Sequence, residues 1–283
     1  MSPEADKEQI QKVDLRGVFY SKNPGLAKLI PGFIYRYLRK VIHENDINEF
    51  LDKHGNKFNM DFINAAITDF KVSIETQGEE YLKMDGRFIF ASNHPLGGFD
   101  GLVLMQIVNR YFNKYKFLVN DILMNLKNIQ ELFIPINKHG KQATDAVREI
   151  DEAFRDGTQI LTFPAGLVSR KIRGQIIDLP WQKQFIMKAK QFKREIIPVH
   201  FSGNNTNFFY NLANIRKFIG IKSNIEMLYL VDETYKHKNK HLVVKFGEPI
   251  PWQTFDSSKK PLDWARWVKE KAYALDGVYD IPF

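Results

Sequence analysis

The sequence predicts an α/β fold: a mixed, mainly parallel sheet flanked by helices, preceded by an N-terminal helical segment. Three observations lead there. Short apolar runs alternate along the chain with longer stretches of helical periodicity, the pattern of βα units. Several apolar runs end in glycine-rich or polar loops, where open α/β sheets bind their ligands. The length of 283 residues, with 44% hydrophobic and 26% charged residues, suits a packed core and excludes a disordered or collagen-like chain.

In chain order, residues 21–42 hold Lys22, Lys28, Arg36, Arg39 and Lys40 and no acidic residue. Within them Ile30, Phe33, Ile34, Tyr37, Leu38, Val41 and Ile42 recur at three-and-four spacing, one continuous helical face. Pro31 is tolerated in a first helical turn, where its missing N–H loses nothing. Such a face docks on a core or lies on anionic lipid with its basic side chains alongside. Residues 61–70 read as a helix and 72–76 as a strand turned by Gly78. An apolar strand over 88–91 runs straight into Ser92-Asn93-His94. A helix over 100–111, a strand over 116–119, a short helix over 122–131 and a strand over 132–136 follow. Residues 141–155 form a helix ended by Gly157. The strand 159–163 is broken by Pro164 and Gly166. A helix spans 181–192 and a strand 195–201. Strands over 225–231 and 242–246 lead to a closing helix over 262–275. The expected division is residues 1–70, a helical membrane-associating segment, and 71–283, the α/β domain.

The chain carries 41 Lys plus Arg against 33 Asp plus Glu, a net charge of +8, with 23 Phe, 11 Tyr and 4 Trp. A basic, aromatic-rich chain has two natural partners, nucleic acid and an anionic membrane surface. No RNA- or DNA-binding motif supports the first. No apolar run reaches about 18 residues, and the N-terminus lacks an apolar signal core, so neither a membrane span nor export is expected. The absence of cysteine excludes a disulfide scaffold, a thiol nucleophile and an iron–sulfur cluster. Neither metal-ligand spacing nor a phosphate-cradling glycine loop occurs, so no metal and no bound cofactor are expected.

Histidine and carboxylate remain as the chemistry. His94 follows the strand 88–91, and a histidine takes a proton near neutral pH. Asp100, at the start of the next helix, would fix its tautomer and stabilise the imidazolium. Gly97 and Gly98 let the loop between them fold back. Taken alone, the pair also fits a helix cap and an ordinary loop histidine. Arg170, Lys171 and Arg173 form a basic cluster after the strand 159–163, with Arg170 the best anion contact because a guanidinium binds phosphate or carboxylate with two parallel bonds. Asn204, Asn205 and Asn207 follow the strand 195–201, where they contact a head group or build turns. His43, His54, His237 and His241 read as surface residues. His139 adjoins the strand 132–136, and His200 reads as a core or supporting residue.

Asn93-His94-Pro95-Leu96-Gly97-Gly98-Phe99-Asp100-Gly101 resembles the catalytic block of the glycerolipid (lysophosphatidic acid-type) acyltransferase family. It is most similar to the bacterial hemolysin-like branch, which holds lyso-ornithine-lipid and lyso-glycine-lipid O-acyltransferases. Glu131-Leu132-Phe133-Ile134-Pro135-Ile136-Asn137, Phe163-Pro164-Ala165-Gly166-Leu167-Val168-Ser169-Arg170 and Ile196-Ile197-Pro198-Val199 resemble the second, third and fourth blocks, in the family's order. Phe246-Gly247-Glu248-Pro249-Ile250 is similar to a late strand-turn of these enzymes. The resemblance spans residues 72–250. Five residues, not the usual four, separate His94 from Asp100, as in the hemolysin-like branch. Ala165 stands where the third block usually has Glu, and Asn137, with Lys138 beside it, where the second commonly has Arg. Those departures argue against lysophosphatidic acid and for a different head group.

The resemblance implies transfer of a fatty acyl group from acyl-CoA or acyl carrier protein to the hydroxyl of a lyso-lipid, a lyso-aminolipid or lysophospholipid. His94 would be the general base and Asp100 its orienting carboxylate. Gly97, Gly98 and Gly166 would support the loops or the oxyanion. Arg170, Lys138, Lys171 and Arg173 would contact anionic groups, and Asn204 and Asn205 the head group. A peripheral protein on the cytoplasmic face of the bacterial inner membrane is implied, anchored by residues 21–42 on anionic lipid, with Trp264 and Trp267 as further interfacial contacts. A lipid or thioester hydrolase using the same pair and a non-catalytic lipid-binding protein are the alternatives.

Overall fold

The computed structural model describes residues 12–22, 24–136, 141–279 and 281. Strands β1 (Ser73–Gln77), β2 (Phe88–Ser92), β3 (Tyr115–Val119), β4 (Phe133–Pro135), β5 (Gln159–Thr162), β6 (Arg170–Ile172), β7 (Gln175–Ile177), β8 (Glu195–Phe201) and β9 (His241–Phe246) form two sheets. The larger has the order β1-β9-β8-β2-β5-β3-β4, and β6–β7 is a separate hairpin. All pairings in the large sheet are parallel except β8 with β9. The expected α/β class, with a mixed and mainly parallel sheet, is what the chain adopts.

Central strands covered on both faces should be apolar throughout. β2 shows why: Phe88 and Phe90 point to one side, Ile89 and Ala91 to the other, and all four are buried. On the first face Phe88 and Phe90 meet Phe117, Leu161, Val199 and Phe246 beneath helices α5 (Asn59–Phe70) and α6 (Gly98–Asn109). On the second, Ile89, Ile160 and Ile196 pack under α7 (Lys141–Arg155), α8 (Gln184–Phe192) and α11 (Pro261–Ala274). Helix α5, assigned from sequence to the first segment, gives Ile63 and Ile67 to the main core.

Among the described residues four helices precede α5: α1 (Leu15–Lys22), α2 (Pro24–Leu29), α3 (Gly32–Val41) and α4 (Glu44–His54). The helical face expected from Ile30 to Ile42 loses its first member. Pro31 holds extended backbone (φ −59°, ψ 146°), and α3 starts after it. Helix α3 buries Tyr35 and Val41; the Tyr35 hydroxyl donates to the Ala27 carbonyl at 3.1 Å. Phe33, Ile34 and Tyr37, from the expected stripe, face outward, and Phe33 is 67% exposed.

Two other expectations fail. Residues 225–231 are no strand: Ile225–Tyr229 is a 3-10 turn continuing into α10 (Leu230–Tyr235). Glu226 and Glu233 are both buried and lie seven residues apart, so a helical period brings both inward to their cations. Residues 122–131 form two 3-10 turns, Asp121–Asn125 and Gln130–Leu132, instead of one helix. Helix α9 (Asn207–Phe218) and the β6–β7 hairpin have no counterpart in the sequence reading.

Candidate active site

Because β8, β2 and β5 are adjacent and parallel, their carboxyl ends open on one edge. Asn93 fastens the end of β2 to β8: its amide donates to the Phe201 carbonyl at 3.0 Å and its oxygen accepts the Phe201 N–H at 2.6 Å. His94 comes next. Its Nδ1 lies 3.1 Å from both carboxylate oxygens of Asp100.

Asp100 is fully buried in the first turn of α6 and also accepts the N–H groups of Leu96 (3.0 Å) and Gly101 (2.9 Å). These donors make it an acceptor, so Nδ1 carries the proton shared with it and Nε2 keeps its lone pair. Nε2 has no protein partner among the described residues, and the His94 side chain is 16% exposed. The ring stacks on Phe163 at the end of β5, with centroids 4.0 Å apart and planes 18° from parallel. A proton acceptor thus faces outward while its other side is fixed by a buried carboxylate and an aromatic ring.

The loop backbone is held by Asp178, which sequence reasoning did not single out. One of its oxygens accepts the His94 N–H (3.2 Å) and the Ser169 hydroxyl (2.6 Å); the other accepts Trp181 Nε1 (2.9 Å). Ser169 in turn donates its N–H to the His94 carbonyl at 2.8 Å. Burial pushes the Asp178 carboxyl upward, opposed by these donors. Lys269, buried as well and drawn down to about 8, donates to the Asp178 carbonyl at 2.7 Å. Asp178 lies 84 residues from His94, a distance at which no local spacing signals it.

The glycines divide. Gly97 has φ +79° and ψ −136°, a region closed to other residues, and produces the fold-back expected from sequence. Gly98 opens α6, whose first-turn N–H groups have no helical carbonyl to bind. Gly166 donates its N–H to the Phe163 carbonyl at 3.0 Å, which removes it as an oxyanion donor.

The basic cluster does not stay together. Arg170 turns inward, donating to the Val168 carbonyl (2.8 Å) and to the buried Glu226 (3.2 Å), so its guanidinium is engaged within the protein. Lys171 is within 3.4 Å of Asn207, and Arg173 is exposed at the turn of the β6–β7 hairpin. Lys138, with Asn137 and His139, lies outside the described residues. Asn204 is exposed; Asn205 is buried, its N–H donating to the Tyr210 hydroxyl at 3.0 Å. His237, read as a surface residue, is buried within 3.5 Å of Asn205, and burial lowers its pKa. His43 and His54 are half-buried, while His241 is exposed. His200 is buried against Tyr273. Trp264, expected at an interface, is buried against Phe255.

Comparison with known proteins agrees with the ordered blocks and extends beyond them. The family described as "Acyltransferase" matches residues 17–281. Two curated relatives carry the name lyso-glycine lipid O-acyltransferase. The one from Bacteroides thetaiotaomicron is 47% identical over 264 residues, covering 93% of this chain and 97% of its own. The one from Phocaeicola vulgatus is 43% identical over 269 residues, covering 95% and 96%. Among solved structures, the 1-acyl-sn-glycerophosphate (LPA) acyltransferase PlsC from Thermotoga maritima aligns at TM-score 0.46 and 16% identity, over 88% of this chain and 95% of that one.

Proposed function

The chain belongs to the acyltransferase family, and on that premise we propose that it is a lyso-glycine lipid O-acyltransferase of membrane lipid synthesis. The donor is a fatty acyl thioester, acyl-CoA or acyl carrier protein, and the acceptor a lyso-lipid hydroxyl. The observation that carries the mechanism is the His94–Asp100 pair, with Nδ1 held at 3.1 Å from the carboxylate and Nε2 without a partner among the described residues.

Nε2 takes the hydroxyl proton as the acceptor oxygen attacks the thioester carbonyl. The C–O bond forms, negative charge collects on the carbonyl oxygen, and we assign its reception to the first-turn N–H groups of α6 other than that of Gly101, which Asp100 accepts. Collapse breaks the C–S bond, and the departing thiolate takes the proton from the imidazolium. Asp100 stabilises that imidazolium between the two steps. Proton transfer of this kind contributes about 10²–10⁴-fold to rate.

Helix α3 supports action at a membrane surface: its outward Phe33, Ile34 and Tyr37 lie beside Arg36 and Lys40. No helix among the described residues is long and apolar enough to cross a bilayer, so contact from one side is the mode proposed. We assign that side to the cytoplasm, as the reading of a thioester donor requires.

The test combines purified protein, acyl-CoA or acyl carrier protein, and lyso-glycine lipid, with the product followed by mass spectrometry. Wild type should form the O-acylated lipid with either or both donors. His94→Ala should lose about 10²–10⁴-fold in rate while still unfolding cooperatively. Normal transfer by that variant sinks the mechanism. Thiol release that needs no acceptor would make the protein a hydrolase.

A further inference from the structure

Helix α9 is apolar on two sides. Phe209, Tyr210 and Ala213 are buried beneath it. Phe208 and Ile215 share the opposite face, both at least half exposed, and the face runs on to Ile219 past the helix end. The chain leaves α9 through Phe218-Ile219-Gly220-Ile221, and Phe218 is 91% exposed. A helix that shows apolar side chains opposite its buried face has a second partner to satisfy.

Position and charge say which. Phe208 packs edge-on against Tyr229 with centroids 5.0 Å apart, and the Tyr229 hydroxyl bonds that of Tyr37 on α3 at 2.8 Å. Exposed Leu228 lies beside Tyr229, so α9, residues 225–229 and α3 share one continuous apolar surface. Residues 15–43 and 202–225 contain no Asp or Glu, while Arg36, Lys40, Lys217 and Lys222 are exposed along them. Glu226, which interrupts the series, is buried and neutralised by Arg170 and Arg216. An apolar surface whose exposed charges within these two segments are all cations is complementary to an anionic bilayer.

We propose that α9 and the Phe218–Ile221 loop form a second membrane-inserting element, acting with α3 to seat the protein on anionic lipid. The surface abuts the catalytic loop: Leu230 Cδ1 lies 2.8 Å from where a Cβ on Gly97 would sit, and Arg170 contacts both Glu226 and Met227. Seating on two elements at once fixes the tilt of the protein and turns the His94 edge toward the bilayer that supplies its acceptor. The proposal rests on the reading that the acceptor is a membrane lipid.

Co-sedimentation of the full chain with phosphatidylcholine vesicles, with and without phosphatidylglycerol, tests it. The double variant Phe218→Ser, Ile219→Ser should bind both kinds of vesicle about tenfold or more weakly, at an unchanged melting temperature. Its transfer to lyso-glycine lipid should fall on vesicles and persist in detergent micelles. Lys217→Gln with Lys222→Gln should lose about tenfold only on phosphatidylglycerol vesicles and only at low salt. Wild-type vesicle affinity in the double serine variant overturns the proposal. So does a variant that dissociates a dimer in sedimentation velocity, or loses affinity for acyl carrier protein, with vesicle binding intact. Wild type that binds vesicles but acylates nothing would instead overturn the acceptor reading and leave this surface standing.

Discussion

Asp178 is the residue on which the His94 loop turns. Among the described residues its carboxylate accepts from His94, Ser169 and Trp181. In Asp178→Asn one oxygen becomes an amine facing a donor, and a buried bond is replaced by a repulsion costing about 1–3 kcal/mol. The His94 backbone is then free to shift, and a displaced base loses rate far more than it loses binding. The expected outcome is a kcat about tenfold to hundredfold lower with a nearly unchanged KM for the lipid. Steady-state kinetics on vesicles, with melting temperature in parallel, checks this; a raised KM at normal kcat would refute it. His94 and Asp100 were legible because their interaction is local, six residues along one strand-turn-helix. Asp178 was not, because it reaches the loop only after the β6–β7 hairpin closes. Arg170 shows the reverse case: its charge invited a ligand, and only the fold reveals Glu226 as its partner.

Elements were readable where one rule governed them. Residues 88–91 of β2 and 196–199 of β8 are continuous apolar runs, and α7 has strong helical periodicity, so local pattern and tertiary burial agree. Residues 225–231 misled because an apolar run of this length fits a strand, while the buried Glu226 and Glu233 decide for helix through Arg170, Arg216 and Thr206 elsewhere in the chain. The turn between β2 and α6 obeys a stricter rule. At φ +79° and ψ −136°, Gly97 occupies backbone space that a side chain strains by about 1–3 kcal/mol, and a Cβ would also press on Leu230. Gly97→Ala should therefore lower the melting temperature and draw Asp100 away from His94, reducing kcat by tenfold or more. Gly98→Ala, with open space at its Cβ, should change both far less. Equal effects from the two substitutions would mean that the Gly97 turn is not what sets the pair.

At the scale of the whole molecule, the two-faced sheet also buries groups that titrate. His200, near the carboxyl end of β8, packs against Tyr273 and is drawn down to about 4, chiefly by burial. Asp276 pulls it up and Lys245 pushes it down; those two pair with each other at 2.8 Å, so their fields largely offset. The unfolded chain protonates this histidine near 6.5, the folded chain only near 4. Between those values the unfolded state binds more protons, so stability rises with pH and is lost as the solution is acidified from 6.5 toward 4. The shift corresponds to about 3 kcal/mol. Asp156, held near 2, takes up its native-state proton below that window. Lys269, depressed to about 8 from 10.5, gives a rise of the same sign above pH 8. Urea denaturation at pH 4.5, 5.5, 6.5 and 7.5 should show wild type gaining stability up to about pH 6.5 and then levelling. His200→Leu should reduce that rise, the buried His237, also lowered, holding the rest of it, while leaving the increase above pH 8. An unchanged acid slope in the variant would show that His200 is not the group whose burial sets it.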